Sequence, residues 1–254
     1  MTMVIRPLAC TLAFLLPVAA QAQKLGWSGT IEASANILFG NVKDRLFSTR
    51  LQLGRADSTL EVRSDARLSY AQSTDDEGKR VVRGRTQLAS LATDYRPFAR
   101  YSPFWFGSIE SSLQQRIERR YSTGAGAKLT FYRRRDSEAS VSLAVLAERT
   151  APRNDDASSG DTTRARWLNR WSLRGRVRRQ LSRTARFTHT TFYQPALDQI
   201  ARYTVNSTTT LSANVASKLA LTFTFHDTYD SESRARGARS NNDGQLLFGL
   251  SATF

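Results

Sequence analysis

A chain of 254 residues with 37 Lys and Arg against 22 Asp and Glu carries a formal charge of +15 and one cysteine, Cys10. Mean hydropathy is −0.43, and no stretch beyond the N-terminal segment approaches the ~18 consecutive apolar residues of a membrane helix. That test misses a membrane β-barrel, in which only alternate residues face lipid.

The first 22 residues read as a secretory signal peptide. Arg6 supplies the positive start, Leu8 to Val18 the apolar run, and Ala20-Gln21-Ala22 a small-x-small cleavage site. The apolar run continues past Cys10 to Val18, which argues against a lipoprotein cleavage at that cysteine. The expected division is 1–22 signal peptide and 23–254 a single barrel, without a linker. The mature chain then holds no cysteine, so disulfides and thiolate catalysis are excluded. For an exported protein the positive charge points to lipopolysaccharide phosphates, anionic lipid or an acidic solute, and not to nucleic acid.

From Leu25 onward the chain alternates. Leu25, Trp27, Ile31, Ala33, Ala35, Ile37 and Phe39 share one parity, and Ser28, Thr30, Glu32, Ser34 and Asn36 the other. Period two marks a strand with one apolar and one polar face. Soluble strands average ~5–6 residues, whereas a tilted membrane-crossing strand needs ~9–11. The pattern returns at 47–53, 60–70, 125–131, 139–147, 203–214, 219–226 and 246–254. Val82 to Ala92 is ragged and Phe104-Trp105-Phe106 interrupts the alternation; both read as strands, with a bulge expected in either.

The strand Thr163 to Arg178 is the most informative. Ala165, Trp167, Asn169, Trp171, Leu173 and Val177 alternate with Arg164, Arg166, Arg170, Arg174, Arg176 and Arg178. An arginine facing lipid near the midplane costs ~2–4 kcal/mol, so six approach roughly 12–24, against a typical stability of ~5–15. In a membrane these arginines must look inward. Glu32, Glu61, Asp65, Glu110 and Glu148 share the inward parity and are expected to pair with them and with Arg50, Lys128, Arg186 and Arg202.

The links divide by parity as well. Even-numbered ones are short, as at 56–58, 133–137, 180–183 and 215–217, and the longest odd-numbered ones lie at 72–80, 150–162 and 230–242. Short turns inside and long loops outside is the habit of bacterial outer-membrane barrels, and an even count of about 12 strands returns both termini to the periplasm. Aromatic residues fall near strand ends, as interfacial girdles require. Trp27, Trp105, Phe131, Phe187 and Phe254 lie at one end, and Phe39, Phe47, Tyr70, Tyr121, Trp167, Tyr193, Tyr203 and Tyr229 at the other.

The close Leu246 to Phe254, with Leu250, Ala252 and Phe254 in step, resembles the assembly signal of outer-membrane barrels. Trp27-Ser28-Gly29, Gly40-Asn41, Gly124-Ala125-Gly126-Ala127, Tyr229-Asp230-Ser231 and Asn242-Asp243 carry a wider likeness. Together they resemble the YdiY-like salt-induced outer-membrane protein family, domain of unknown function 481, over essentially the whole mature chain. The resemblance implies an outer-membrane location and no established activity.

Catalysis finds little support. The two histidines are His189, outward between Thr188 and Thr190, and His226 beside Asp227. No His/Cys/Asp set has metal-ligand spacing, and the acidic run Asn154 to Asp161 reads as a solvated turn. The expectation is therefore no enzyme, no cofactor and no metal. It is an outer-membrane β-barrel, either a narrow anion-preferring pore or a structural protein of envelope and salt stress. Its expected partners are outer-membrane lipid, lipopolysaccharide, the barrel-assembly machinery through the last strand, and small anions. The alternatives are an outer-membrane lipid-modifying enzyme and a soluble periplasmic ligand-binding β-protein.

Overall fold

A computed structural model describes residues 26–37, 44–74, 79–153 and 166–254. The signal peptide at 1–22, Phe39, Gly40-Asn41, the acidic run at 154–161 and Arg164 lie outside them. The described chain is a succession of strands: β1 (Ser28–Ile37), β2 (Asp44–Ala56), β3 (Leu60–Thr74), β4 (Arg80–Tyr95), β5 (Tyr101–Ser112), β6 (Ile117–Arg133), β7 (Ser137–Pro152), β8 (Arg166–Gln180), β9 (Ala185–Pro195), β10 (Tyr203–Ala216), β11 (Leu219–Asp230) and β12 (Asn242–Thr253). Each pairs antiparallel with its neighbours in sequence, and β1 pairs with β12, so the sheet closes into a twelve-stranded barrel. Closure removes every free sheet edge.

Strand length and burial follow from the period-two pattern. The strands run from 10 residues in β1 to 17 in β6, long enough to cross a bilayer at a tilt. On β7 Ser140, Ser142, Ala144, Leu146 and Glu148 are buried, while Val141, Leu143 and Val145 between them are exposed. Large apolar side chains lie outside all round the barrel, with Leu68 59 % exposed, Leu173 49 % and Phe248 55 %. Such a belt is the reverse of a soluble fold and matches a surface solvated by lipid.

The ragged segments resolve in two ways. Val82 to Ala92 belongs to the longer β4, whose pairing with β3 shifts between Ala71 and Gln72, leaving Arg83 as the extra residue of a bulge. Phe104-Trp105-Phe106 keeps strict alternation after all: Trp105 is exposed, and Phe104 and Phe106 stack at 6.3 Å on the other face. The interior thus accepts aromatic rings, which is why a hydrophobicity pattern there looked broken.

Two close approaches join β6 and β7. A Cβ on Gly126 would stand 2.6 Å from the Ala144 Cβ, and one on Gly124 would stand 2.9 Å from the Leu146 Cβ, so only glycine lets β6 and β7 approach so tightly there. At the seam Gly29 N–H donates to the Phe254 carbonyl and Phe254 N–H to the Gly29 carbonyl, each at 2.9 Å.

Candidate functional site

The interior is lined with charge, and its two ends differ. At the long-loop end, β11 runs out into the link 231–241, which carries a single 3-10 turn over Arg234–Arg236. This link folds against the barrel mouth. The Arg236 Nε donates to the Gln115 carbonyl at 3.2 Å in the β5–β6 link, and Ser233 is 1 % exposed.

Asp230, also 1 % exposed, is the hub of this end. It accepts from Arg120 Nη2 at 2.9 Å, Arg236 Nη2 at 2.6 Å and the Glu232 N–H at 2.9 Å. Arg120 also approaches Glu110 at 3.5 Å and Glu148 at 3.7 Å. Arg170 is buried from solvent and donates through Nη1 to the carbonyls of Gln194 and Arg202, both at 3.1 Å. Its Nη2 reaches Glu148 at 3.3 Å and Glu232 at 3.6 Å. Arg202 donates to Glu232 at 2.9 Å. Arg120, Arg170, Arg202 and Arg236 each meet a carboxylate, as burial of charge demands.

Midway along the interior, Asp65 accepts from Arg50 Nε at 2.6 Å and Gln52 Nε2 at 2.8 Å. Glu32 accepts from the Thr222 hydroxyl at 3.0 Å. The His226 ring sits between the Thr208 and Thr228 hydroxyls at 2.9 and 3.2 Å.

The short-turn end is arranged otherwise. Arg63 meets Asp94 at 2.9 Å and Glu61 at 3.4 Å, while Lys128 meets the same Asp94 oxygen at 2.7 Å. Glu138 is shared by Arg133 at 3.0 Å and Arg178 at 3.8 Å. Arg174 lies over the rings of Phe104 and Phe192, at 5.5 and 5.8 Å from their centroids. Among the described residues, Arg67, Arg174 and Arg176 have no carboxylate within 4.0 Å. A cavity of about 130 Å³ opens here, lined by Arg63, Lys128, Arg133, Arg174, Arg176 and Arg178 together with Glu61 and Glu138.

The arginine ladder foreseen on β8 is thus divided. Arg170 belongs to the paired end, and Arg174, Arg176 and Arg178 to the cavity. Arg166 is placed in the backbone pairing opposite Thr150. Glu61, Asp65 and Glu110 meet arginines, whereas Glu32 meets a hydroxyl. Arg202 stands in the link before β10, and Arg186 binds Gln180 at 3.1 Å. Asp94, Glu138, Asp230 and Glu232 are paired carboxylates that pattern reading passed over. Asp94 shares the parity of Ser90 and Thr86 on β4, which was the available signal. Of the assembly residues, Leu250 is exposed and Ala252 pairs with Ile31 across the seam.

His189 faces outward. Its Nδ1 bonds the Thr209 hydroxyl at 2.9 Å and its Nε2 the Thr191 hydroxyl at 2.8 Å. Among the described residues no group of three His, Cys, Asp or Glu is arranged to hold a metal ion.

Solved structures share the fold. The NanC porin superposes with a TM-score of 0.50 at 10 % identity, over 87 % of this chain and 98 % of that one. The COG4313 outer membrane channel from Pseudomonas putida F1 gives 0.48 at 12 % identity over 89 % and 94 %, and the KdgM porin 0.45 at 10 % over 89 % and 99 %. The NanC match shows a porin-type barrel fold. No curated protein sequence matches the chain. A sequence profile described as "Protein of unknown function, DUF481" matches residues 31–254.

Proposed function

The chain belongs to the family described as protein of unknown function, DUF481, and from that premise we propose that it is an outer-membrane barrel with a narrow, anion-preferring lumen held shut at its outer end. The observation that carries this reading is the uneven division of charge. Asp230 and its neighbours tie opposite walls together at the long-loop end, while unpaired arginines face the interior toward the short turns. Fixed positive charge in a low-dielectric passage raises the local concentration of anions and excludes cations.

The reading puts the short turns and both strand termini in the periplasm and the long loops outside. Outer-membrane lipid and lipopolysaccharide then meet the apolar belt, and β12 is the strand offered to the barrel-assembly machinery. Catalysis, a cofactor and nucleic acid have no part in it.

Planar-bilayer recording tests it. The wild-type protein is expected to conduct weakly, and Asp230→Ala to raise conductance with a reversal potential on the anion side. Cation preference in the opened variant overturns the reading. Silence in both leaves a structural envelope barrel, the salt-stress role that the YdiY-like resemblance implies. Recovery in the osmotic-shock supernatant without detergent would mean a soluble protein instead.

A further inference from the structure

We infer that the cavity at the short-turn end is a binding site for a compact, multiply charged oxyanion of the phosphate type. The inference rests on the interior being a charged lumen, but not on conduction through it.

Charge supply and demand do not match in this cavity. Arg63, Lys128, Arg133, Arg174, Arg176 and Arg178 gather around three carboxylates, Glu61, Asp94 and Glu138. Asp94 already serves two cations and Glu138 another two. Among the described residues no carboxylate lies within 4.0 Å of Arg174 or Arg176. The paired end of the same lumen is the internal control: Arg120, Arg170, Arg202 and Arg236 there are all matched with carboxylates. The fold can therefore neutralise inward arginines, and at Arg174 and Arg176 it places no carboxylate within 4.0 Å among the described residues.

Arg174 is also positioned. Its guanidinium is held over Phe104 and Phe192, a contact that fixes the plane of the group and leaves its N–H edge to donate. Guanidinium N–H pairs match the oxygens of a phosphate bidentately, and such charge-assisted bonds are about twice as strong as neutral ones. Size limits the ligand. About 130 Å³ is well under the ~300–1,000 Å³ of pockets for drug-sized ligands, so the site suits a single phosphoryl group and not an extended chain. The cavity lies toward the short turns: Pro97 and Phe98 of the β4–β5 link form part of its lining, and Arg133 Nη1 donates to the Phe98 carbonyl at 2.6 Å.

The test is isothermal titration calorimetry of the folded barrel in detergent at constant ionic strength. Inorganic phosphate is one titrant, a short-chain soluble phosphatidate the second, and chloride the reference. Phosphate or phosphatidate is expected to bind above chloride, and the tighter of the two identifies a free ion or a lipid headgroup as the source. Arg174→Gln and Arg176→Gln, each made singly, should weaken binding by about tenfold or more, the loss of one charge-assisted bond. Arg186→Gln, at the same end but outside the cavity, should leave it unchanged. Heat-modifiable migration verifies that each variant is folded; should one fail to fold, Arg178→Gln provides the same comparison. Binding of neither titrant above chloride, or binding indifferent to these substitutions in folded protein, overturns the inference. Ion selectivity in bilayers is read separately, so either proposal can fail alone.

Discussion

Arg120 on β6 and Asp230 on β11 sit nearly opposite each other in the barrel wall, and their side chains meet at 2.9 Å. A contact between neighbouring strands would only reinforce the sheet; this one bridges the lumen. Breaking a buried pair by removing one partner typically costs about 3–5 kcal/mol, because the other charge is left stranded. Asp230→Ala takes from Arg236 its carboxylate and leaves Arg120 with only the longer contacts to Glu110 and Glu148. The variant is expected to unfold from lipid vesicles at lower urea concentration than wild type by that order, with a rise in single-channel conductance. Unchanged urea stability would show the bridge to be energetically idle.

The outward and inward faces were legible in the sequence and the pairing inside them was not. Trp171 and Leu173 against Arg170 and Arg174 is a local alternation, decided by the pleat of one strand. The separate fates of Arg170 and Arg174 are not local. Arg170 is matched by Glu148 on the preceding strand and by Glu232 in a link some sixty residues away. Arg174 lies over aromatic rings instead, among them Phe104, whose inward position the pattern itself obscured. Parity says which side chains look into the lumen; closure of the sheet decides which of them meet.

The apolar belt makes a prediction with a built-in control. Leu173 pairs across strands with Leu143, both about half exposed on the outer face. Leu173→Arg is expected to destabilise the barrel in bilayers by ~2–4 kcal/mol, the cost of arginine at lipid depth. Arg174→Leu, one residue along and inward, should cost much less. Equal effects in urea titrations from vesicles would mean that the two faces have been assigned the wrong solvents.

The seam depends on a close approach that only glycine allows. A Cβ at Gly249 would stand 2.5 Å from the Ala33 carbonyl oxygen and 2.7 Å from the Ser34 Cβ. Backbone cannot swing aside as a flexible side chain can, so Gly249→Val must push β12 away from β1. The expected loss is about 1–3 kcal/mol, the usual scale of overpacking, seen as a smaller heat-resistant fraction on SDS gels. Deleting Phe254 removes both hydrogen bonds to Gly29 and should act at the same seam. If the deletion folds as well as wild type, the terminal pair is dispensable for closure.

One short turn carries a pH-dependent contribution. In the β2–β3 link, Asp57 Oδ1 accepts from the N–H groups of Thr59 and Leu60, each at 2.8 Å. These bonds, with Arg55 nearby, hold its carboxyl below the ordinary aspartate value. A carboxyl whose acidity is strengthened on folding adds stability above its unfolded value of about 3.9, and that stability fades as pH falls through the lower, folded value. Asp57→Asn keeps an acceptor but no charge. The variant is therefore expected to be slightly less stable than wild type at neutral pH, with the difference shrinking as the medium is acidified below about pH 4. Urea midpoints of both proteins across that range measure it. A gap that persists unchanged in acid would mean that turn geometry, and not the charge on Asp57, accounts for the effect.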